Sequence, residues 1–423
     1  MKRPLILVLL IGCLFIVFQS RAQTYLSNID ETKVLAYTLP DVLKMQNGKT
    51  VKNSSEWEKT QRPYIYNLYQ IIQFGRYPLQ RIPIRSEVIR TDQTLDGLAT
   101  RKQIRIYLHP TDNKIYIDML LYLPRKLNRP VPVFVGYNFS GNHTLQADSG
   151  ILLSQGWITA RAKGVVDNKA TDLSRGTDTA QWQLKEILSH GYALATAYYG
   201  DLEADHVDGW KTGIRTTLKN ELKIQPEEWG AMGAWAYGLS RIYDYLEKDK
   251  DIDAKKIALI GHSRLGKAAL WAAASDRRFA LIVSNESGEG GAALSKRWYG
   301  ETVKIINGKF PHWFSVNYKT YGDNVGNLPI DAHMLLSLMA PRPLYVASAE
   351  GDTNSDPKGE FLSARAASRV YALYGKKGIE VDELPALHQP VGDVIRYHIR
   401  AGKHDVTLYD WQQYLAFADQ QWK

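Results

Sequence analysis

A chain of 423 residues, 44% hydrophobic and 23% charged, has the composition of an ordinary globular protein long enough to bury a large core. Its net charge of +9 is scattered, with no polybasic stripe or arm, which argues against nucleic-acid binding. The single cysteine, Cys13, excludes a disulfide framework.

The N-terminus, MKRPLILVLLIGCLFIVFQSRAQTY, joins a short basic stretch to an apolar run from Leu5 to Phe18 and then a polar stretch. This order marks residues 1–22 as a secretory signal peptide, cleaved near Ala22 or Gln23. The run is shorter than the roughly 20 residues a membrane span needs, so no stable membrane association is expected after cleavage. LIGC at Leu10–Cys13 has the form of a lipoprotein box. Cys13 lies inside the apolar run rather than after it, however, which favours export without a lipid. Three of the positive charges, Lys2, Arg3 and Arg21, belong to this segment.

Residues 23–95 read as an N-terminal segment packed on the catalytic domain. They carry turn signals and one helix, SSEWEKTQRPYIYNLYQIIQFG, which Ser54 or Ser55 could cap. Over 96–423, strand-like runs alternate with helical ones. Strands are expected at KQIRIYL (102–108), IYIDMLLYLP (115–124), VPVFVGYN (131–138) and YALATAYYG (192–200). A helix at 227–249 precedes the strand KIALIG (256–261) and the helix RLGKAALWAAASD (264–276). Strands at 279–287 and 342–352, a helix at 360–375, a strand at 393–402 and a helix at 408–421 complete the chain. Continuous apolar strands divided by helices indicate a mostly parallel central sheet flanked by helices on both faces, with an antiparallel edge from the first two extended segments. That is an α/β-hydrolase fold.

One junction draws attention. IALIGHSRLGKAAL, residues 257–270, is a strand, a glycine, a serine and an Ala/Leu helix, the pattern of a nucleophile elbow around Ser263. Such elbows carry a glycine two residues after the serine; here Leu265 holds that place and Gly266 follows. A serine merely capping a buried helix is the alternative. Arg264 and Lys267 both fall in the first helical turn, where the helix dipole disfavours cations. The helix is apolar all round and therefore buried, so Lys267 requires a polar pocket at its head.

A serine nucleophile needs a base and an orienting acid, in the chain order Ser…acid…His for this fold. Glu286 and Asp352 both follow strands, at the ends where open α/β sheets place their sites, and either could serve. Of the three histidines beyond Asp352, His398 lies mid-strand and His388 precedes the last strand. His404 lies in the loop between the last strand and the last helix and is the expected base. GEGG at Gly288–Gly291 lacks the Lys-Ser/Thr of a phosphate loop, and no His-Glu-x-x-His metal spacing occurs. GNH at Gly141–His143 could line the oxyanion side of the pocket or form a structural turn.

GHSRLGK resembles the Gly-x-Ser-Arg-x-Gly-Lys signature of carbohydrate esterase family 15, the glucuronoyl esterases. The resemblance covers nearly all of the mature chain, including VGYNFSGNHT, GYALATAYYGDLEADH, SNESGEGGAALSKRWYGETV and APRPLYVASAEGDTNSDPKGEFLSA. It implies that Ser263 is the nucleophile and His404 the base, with Glu286 or Asp352 as the acid, since members use either position. It further implies that Arg264 serves the oxyanion hole, and that Lys267 and Glu301 bind hydroxyls of the uronic sugar. Two departures stand out. Many members carry a tryptophan two residues after the second acid, where this chain has Asn354, and fungal members have cysteine where His262 stands.

The expectation is an exported, cofactor-free and monomeric serine esterase that cleaves 4-O-methyl-glucuronoyl esters on a uronic-acid-bearing polysaccharide or a lignin–carbohydrate ester. The alternatives are an esterase of another carbohydrate acyl group, acetyl xylan being one, or a glycan-binding relative without catalysis.

Overall fold

The computed structural model describes residues 27–125 and 130–422. Residues 1–26, with the expected signal peptide, its expected cleavage site and Cys13, lie outside the described residues. Twelve strands form among the described residues: β1 (Arg85–Thr94), β2 (Ala99–Tyr107), β3 (Tyr116–Pro124), β4 (Val131–Asn138), β5 (Val165–Val166), β6 (Lys169–Ala170), β7 (Ala193–Tyr198), β8 (Ile252–His262), β9 (Leu281–Asn285), β10 (Leu344–Ala349), β11 (Val391–Gly392) and β12 (Ile395–Arg400). All but β5 and β6 join one sheet, in the order β1-β2-β3-β7-β4-β8-β9-β10-β12-β11. Strands β7 through β12 of that order run parallel, while β1, β2 and β3 make the antiparallel edge. This is the α/β-hydrolase fold.

The parallel strands β7, β9 and β10 are buried along their whole length, as strands covered on both faces must be. Helices α1 (Ala231–Leu246), α2 (Arg264–Ser275) and α3 (Pro357–Ala372) cover one face, and α4 (Leu408–Trp422) packs on the other. Strand β1, by contrast, is almost wholly exposed and carries Arg85, Glu87, Arg90 and Asp92, charges that keep an edge from pairing with another chain. Without an apolar alternation, β1 is not among the strands expected from sequence.

The helical stretch over 54–74 explains why α2 is apolar on every side. Trp271 of α2 stacks on Phe74 at 4.6 Å and on Tyr66 at 5.0 Å, so this stretch covers the face that α2 turns away from the sheet. Its cap corrects the expectation: Asn53, not Ser54 or Ser55, accepts the Glu56 N–H at 2.9 Å, and Ser54 is already helical. Gly75 ends it at φ +81°, where a Cβ would stand 2.3 Å from the Trp229 Cα.

Candidate active site

Strands β8, β9, β10 and β12 are neighbours, so the loops leaving their C-terminal ends converge. Ser263 leaves β8 at φ +55° and ψ −130°, a conformation that costs a non-glycine residue energy and exposes the side chain above the sheet. Its N–H is fixed by the Asn285 carbonyl at 2.9 Å. The displaced glycine also has a reason: a Cβ on Gly266 would lie 2.9 Å from the Ser287 Cβ and 3.0 Å from the Gly261 oxygen. The turn therefore needs its small residue at 266, while Leu265 points into the core.

His404, in the loop after β12, brings both candidate acids together. Its Nδ1 lies 2.6 Å from Asp352 Oδ2 and 3.0 Å from Glu286 Oε2. Burial works against a charged imidazole here, yet the two carboxylates outweigh it and push His404 up to about 9. Burial also opposes ionisation of Asp352, but its hydrogen bond to His404 holds it below the usual carboxylate range. Glu286 is buried more deeply, and burial pushes it up to about 7. Its Oε1 accepts from Arg400 at 2.7 Å, and Arg400 in turn pairs with Asp410 at 2.7 Å.

The other two late histidines lie elsewhere. His398 is fully buried between the Tyr345 hydroxyl and Asp410, each at 2.9 Å, and His388 accepts the Ala401 N–H at 3.3 Å. His143 is buried against Ser174 at 2.8 Å, and the Thr144 N–H closes a turn onto the Gly141 carbonyl at 3.0 Å.

Comparison with known proteins identifies the scaffold. The model of the fungal glucuronyl esterase family matches residues 220–375. A carbohydrate esterase, MZ0003, from an unknown prokaryotic organism is 43% identical over 395 residues, 93% of this chain and 91% of the relative. A solved glucuronoyl esterase from Solibacter usitatus is 49% identical, with a TM-score of 0.86 over 93% of this chain and 100% of that one. The chain belongs to the glucuronoyl esterases, carbohydrate esterase family 15. It is therefore an esterase. Fungal members of the family match less of it: the 4-O-methyl-glucuronoyl methylesterase of Hypocrea jecorina is 42% identical over 159 residues, 34% of each chain.

Within the candidate site of this glucuronoyl esterase the two first-turn cations are held differently. The Arg264 guanidinium pairs with Asp205, and its Cζ lies 5.1 Å from the Trp313 ring and 5.5 Å from Phe310. Asp205 also accepts from His312 Nε2 and Trp313 Nε1, both at 2.7 Å, and from the Tyr199 hydroxyl at 3.0 Å. These donors hold its carboxyl well below the usual range despite burial. Lys267 is only 4% exposed, and burial lowers its pKa while Glu301 and Glu289 raise it. Among the described residues no side chain or backbone group hydrogen-bonds its ammonium. The half-buried Glu301 is fixed by its backbone N–H, which donates to the Asn354 carbonyl at 2.9 Å, while the Asn354 side chain is exposed.

His262 has a settled proton. The Asn285 amide accepts from Tyr414 and donates to the Asp405 carbonyl at 3.0 Å, so its NH2 also faces His262 Nδ1 at 2.9 Å. Nδ1 must accept, which leaves the hydrogen on Nε2, and burial pushes His262 down to about 3. Its ring lies 4.4 Å from that of His404. His262, Glu286 and His404 offer donor atoms within 4.8 Å of one another, the one cluster among the described residues that could hold a metal ion. Sequence reasoning assigns no role to Asp205, His312, Trp313 or Arg400; their contacts span up to 114 positions along the chain.

Proposed function

We propose that this chain is an exported serine esterase that hydrolyses 4-O-methyl-glucuronoyl esters, as found between glucuronoxylan and lignin alcohols. Ser263 Oγ attacks the C6 carbonyl carbon while His404 Nε2 takes its proton. The ester C–O bond then breaks, and the alcohol leaves with that proton. Water attacks the acyl carbon and gives a proton to His404, which returns it to Ser263 as the uronic acid departs. Asp352, with Glu286 behind it, holds the imidazole Nδ1–H and stabilises the imidazolium that forms.

The Arg264 backbone N–H and guanidinium face the developing oxyanion, a contribution of about 3–4 kcal/mol per well-placed donor. Lys267 and Glu301 take the sugar hydroxyls. The observation that supports the uronate reading is Lys267: a buried residue one helical turn from Ser263, whose ammonium has no hydrogen-bonding partner among the described residues and is free to take the hydroxyls of a sugar.

The test is a comparison of kcat/KM on benzyl glucuronate, a benzyl galacturonate and an acetylated xylo-oligosaccharide. The expected result is a preference of at least tenfold for the glucuronate ester. Equal or faster cleavage of the acetyl ester would replace this reading with that of a carbohydrate acetyl esterase. Turnover of none of the three would overturn the glucuronate reading.

A further inference from the structure

An open groove of about 1030 Å³ runs beside the residues that lead into Glu301, lined by Trp298, Asn28, Tyr37, Asp323 and Asn324 among others. Trp298 stands out in it. Its backbone sits at φ +51°, a left-handed conformation that costs a non-glycine residue energy, at the end of the turn Ser295–Arg297.

Everything around Trp298 is fastened. Lys296 Nζ donates to the Val325 carbonyl at 3.1 Å, and Arg297 pairs with Asp356 at 2.8 Å. The Tyr299 hydroxyl donates to the Ile29 carbonyl at 2.9 Å, and the Gly300 N–H to the Asn28 carbonyl at 2.7 Å. Gly300, at φ +65°, is also where the acid loop closes in, since a Cβ there would meet the Asn354 oxygen at 2.4 Å. The strained turn is thus clamped from both sides, yet Trp298 itself stays 40% exposed. Its backbone is fixed and it lines the groove, so the indole offers an apolar face to whatever occupies it.

Resting on the reading of the site as a glucuronoyl esterase, we infer that this groove is a subsite for the neutral sugar chain that carries the uronic ester, with Trp298 as its stacking platform. Glu301 follows Trp298 by three positions, so their Cα atoms lie at most about 11 Å apart. A chain leaving the uronic acid at Glu301 therefore reaches Trp298 within a few rings. The indole offers a flat apolar face to the C–H side of a pyranose, and the amides and carboxylate beside it pair with hydroxyls. The groove supplies the aromatic contact that Asn354 does not.

The test titrates the full chain carrying Ser263→Ala with a benzyl-esterified 4-O-methyl-glucuronoyl xylo-oligosaccharide, with and without Trp298→Ala. Affinity should fall at least fivefold with Trp298→Ala and recover largely with Trp298→Tyr, which keeps a stacking ring. In otherwise unaltered enzyme, Trp298→Ala should lower kcat/KM on the oligosaccharide ester at least fivefold relative to its value on benzyl glucuronate, and mainly through KM. Equal affinities and an unchanged ratio would overturn the subsite. If wild type cleaves acetyl esters but no glucuronate ester, the reading of the active site fails instead. The titration then decides Trp298 alone: retained Trp298-dependent affinity upholds the subsite, and its absence removes it.

Discussion

Asp352 and Glu286 reach the same imidazole nitrogen from adjacent strands, but the two carboxylates sit in different electrical surroundings. Asp352 lies 2.6 Å from His404, is 6% exposed and is held ionised chiefly by that hydrogen bond. Glu286 lies 3.0 Å away, is 1% exposed, stands at a left-handed φ of +47° and shares its charge with Arg400. A carboxylate already paired with a guanidinium has less field left for a forming imidazolium. Proximity alone thus does not rank two acids; what each already balances does. Asp352 is the stronger orienter in this account, and Glu286 is a partial substitute that also anchors the loop through the Asp405 N–H at 3.1 Å.

The largest effects set the floor for this comparison. Ser263→Ala and His404→Ala should each lower kcat by about a thousandfold or more while circular dichroism shows a native fold, because nucleophile and base act as a unit. Near-normal turnover by folded His404→Ala would remove it as base. Against that floor, the double variant Asp352→Ala/Glu286→Ala should fall to the His404→Ala level. Asp352→Ala alone should lose about a hundredfold and Glu286→Ala about tenfold, a non-additive pattern expected of two groups serving one imidazole.

Arg264→Ala should lower kcat more than it raises KM, by about tenfold or more, since the guanidinium contact strengthens in the transition state. An effect on KM alone would make it a ground-state contact. Asp205→Asn, which removes the anchor of Arg264 and not a contact to substrate, should give a smaller loss of the same kind. A loss in KM with kcat intact would assign Asp205 to binding instead.

The difference between the acids also bears on what a sequence can convey. The positions of Ser263 at an elbow and of His404 in the loop after the last strand are legible from chain order, because both are local features. The ranking of Asp352 over Glu286 is not, since it depends on Arg400 and on burial that only folding creates. Gly266 looks misplaced on pattern alone, and its packing against Ser287 resolves the mismatch. Lys267 is legible as an anomaly, a cation in an apolar helix, whereas the Asp205 anchor of its neighbour Arg264 lies 59 positions away and leaves no local trace. At the other end of the fold, the exposed and charged β1 reads as loop because its pairing with β2 is a matter of backbone hydrogen bonds rather than of apolar alternation.

The pH dependence of kcat/KM on benzyl glucuronate, for wild type, Asp352→Asn and Glu286→Gln side by side, separates the two acids. The base must be neutral to act, so wild-type activity should climb with pH along a limb set by His404, towards an apparent value of about 9. The carboxylates raise that value, so Asp352→Asn should move the rising limb to lower pH while lowering its plateau at least tenfold more than Glu286→Gln does. An inactive Glu286→Gln beside an Asp352→Asn that keeps the wild-type limb and plateau would make Glu286, not Asp352, the orienter of His404.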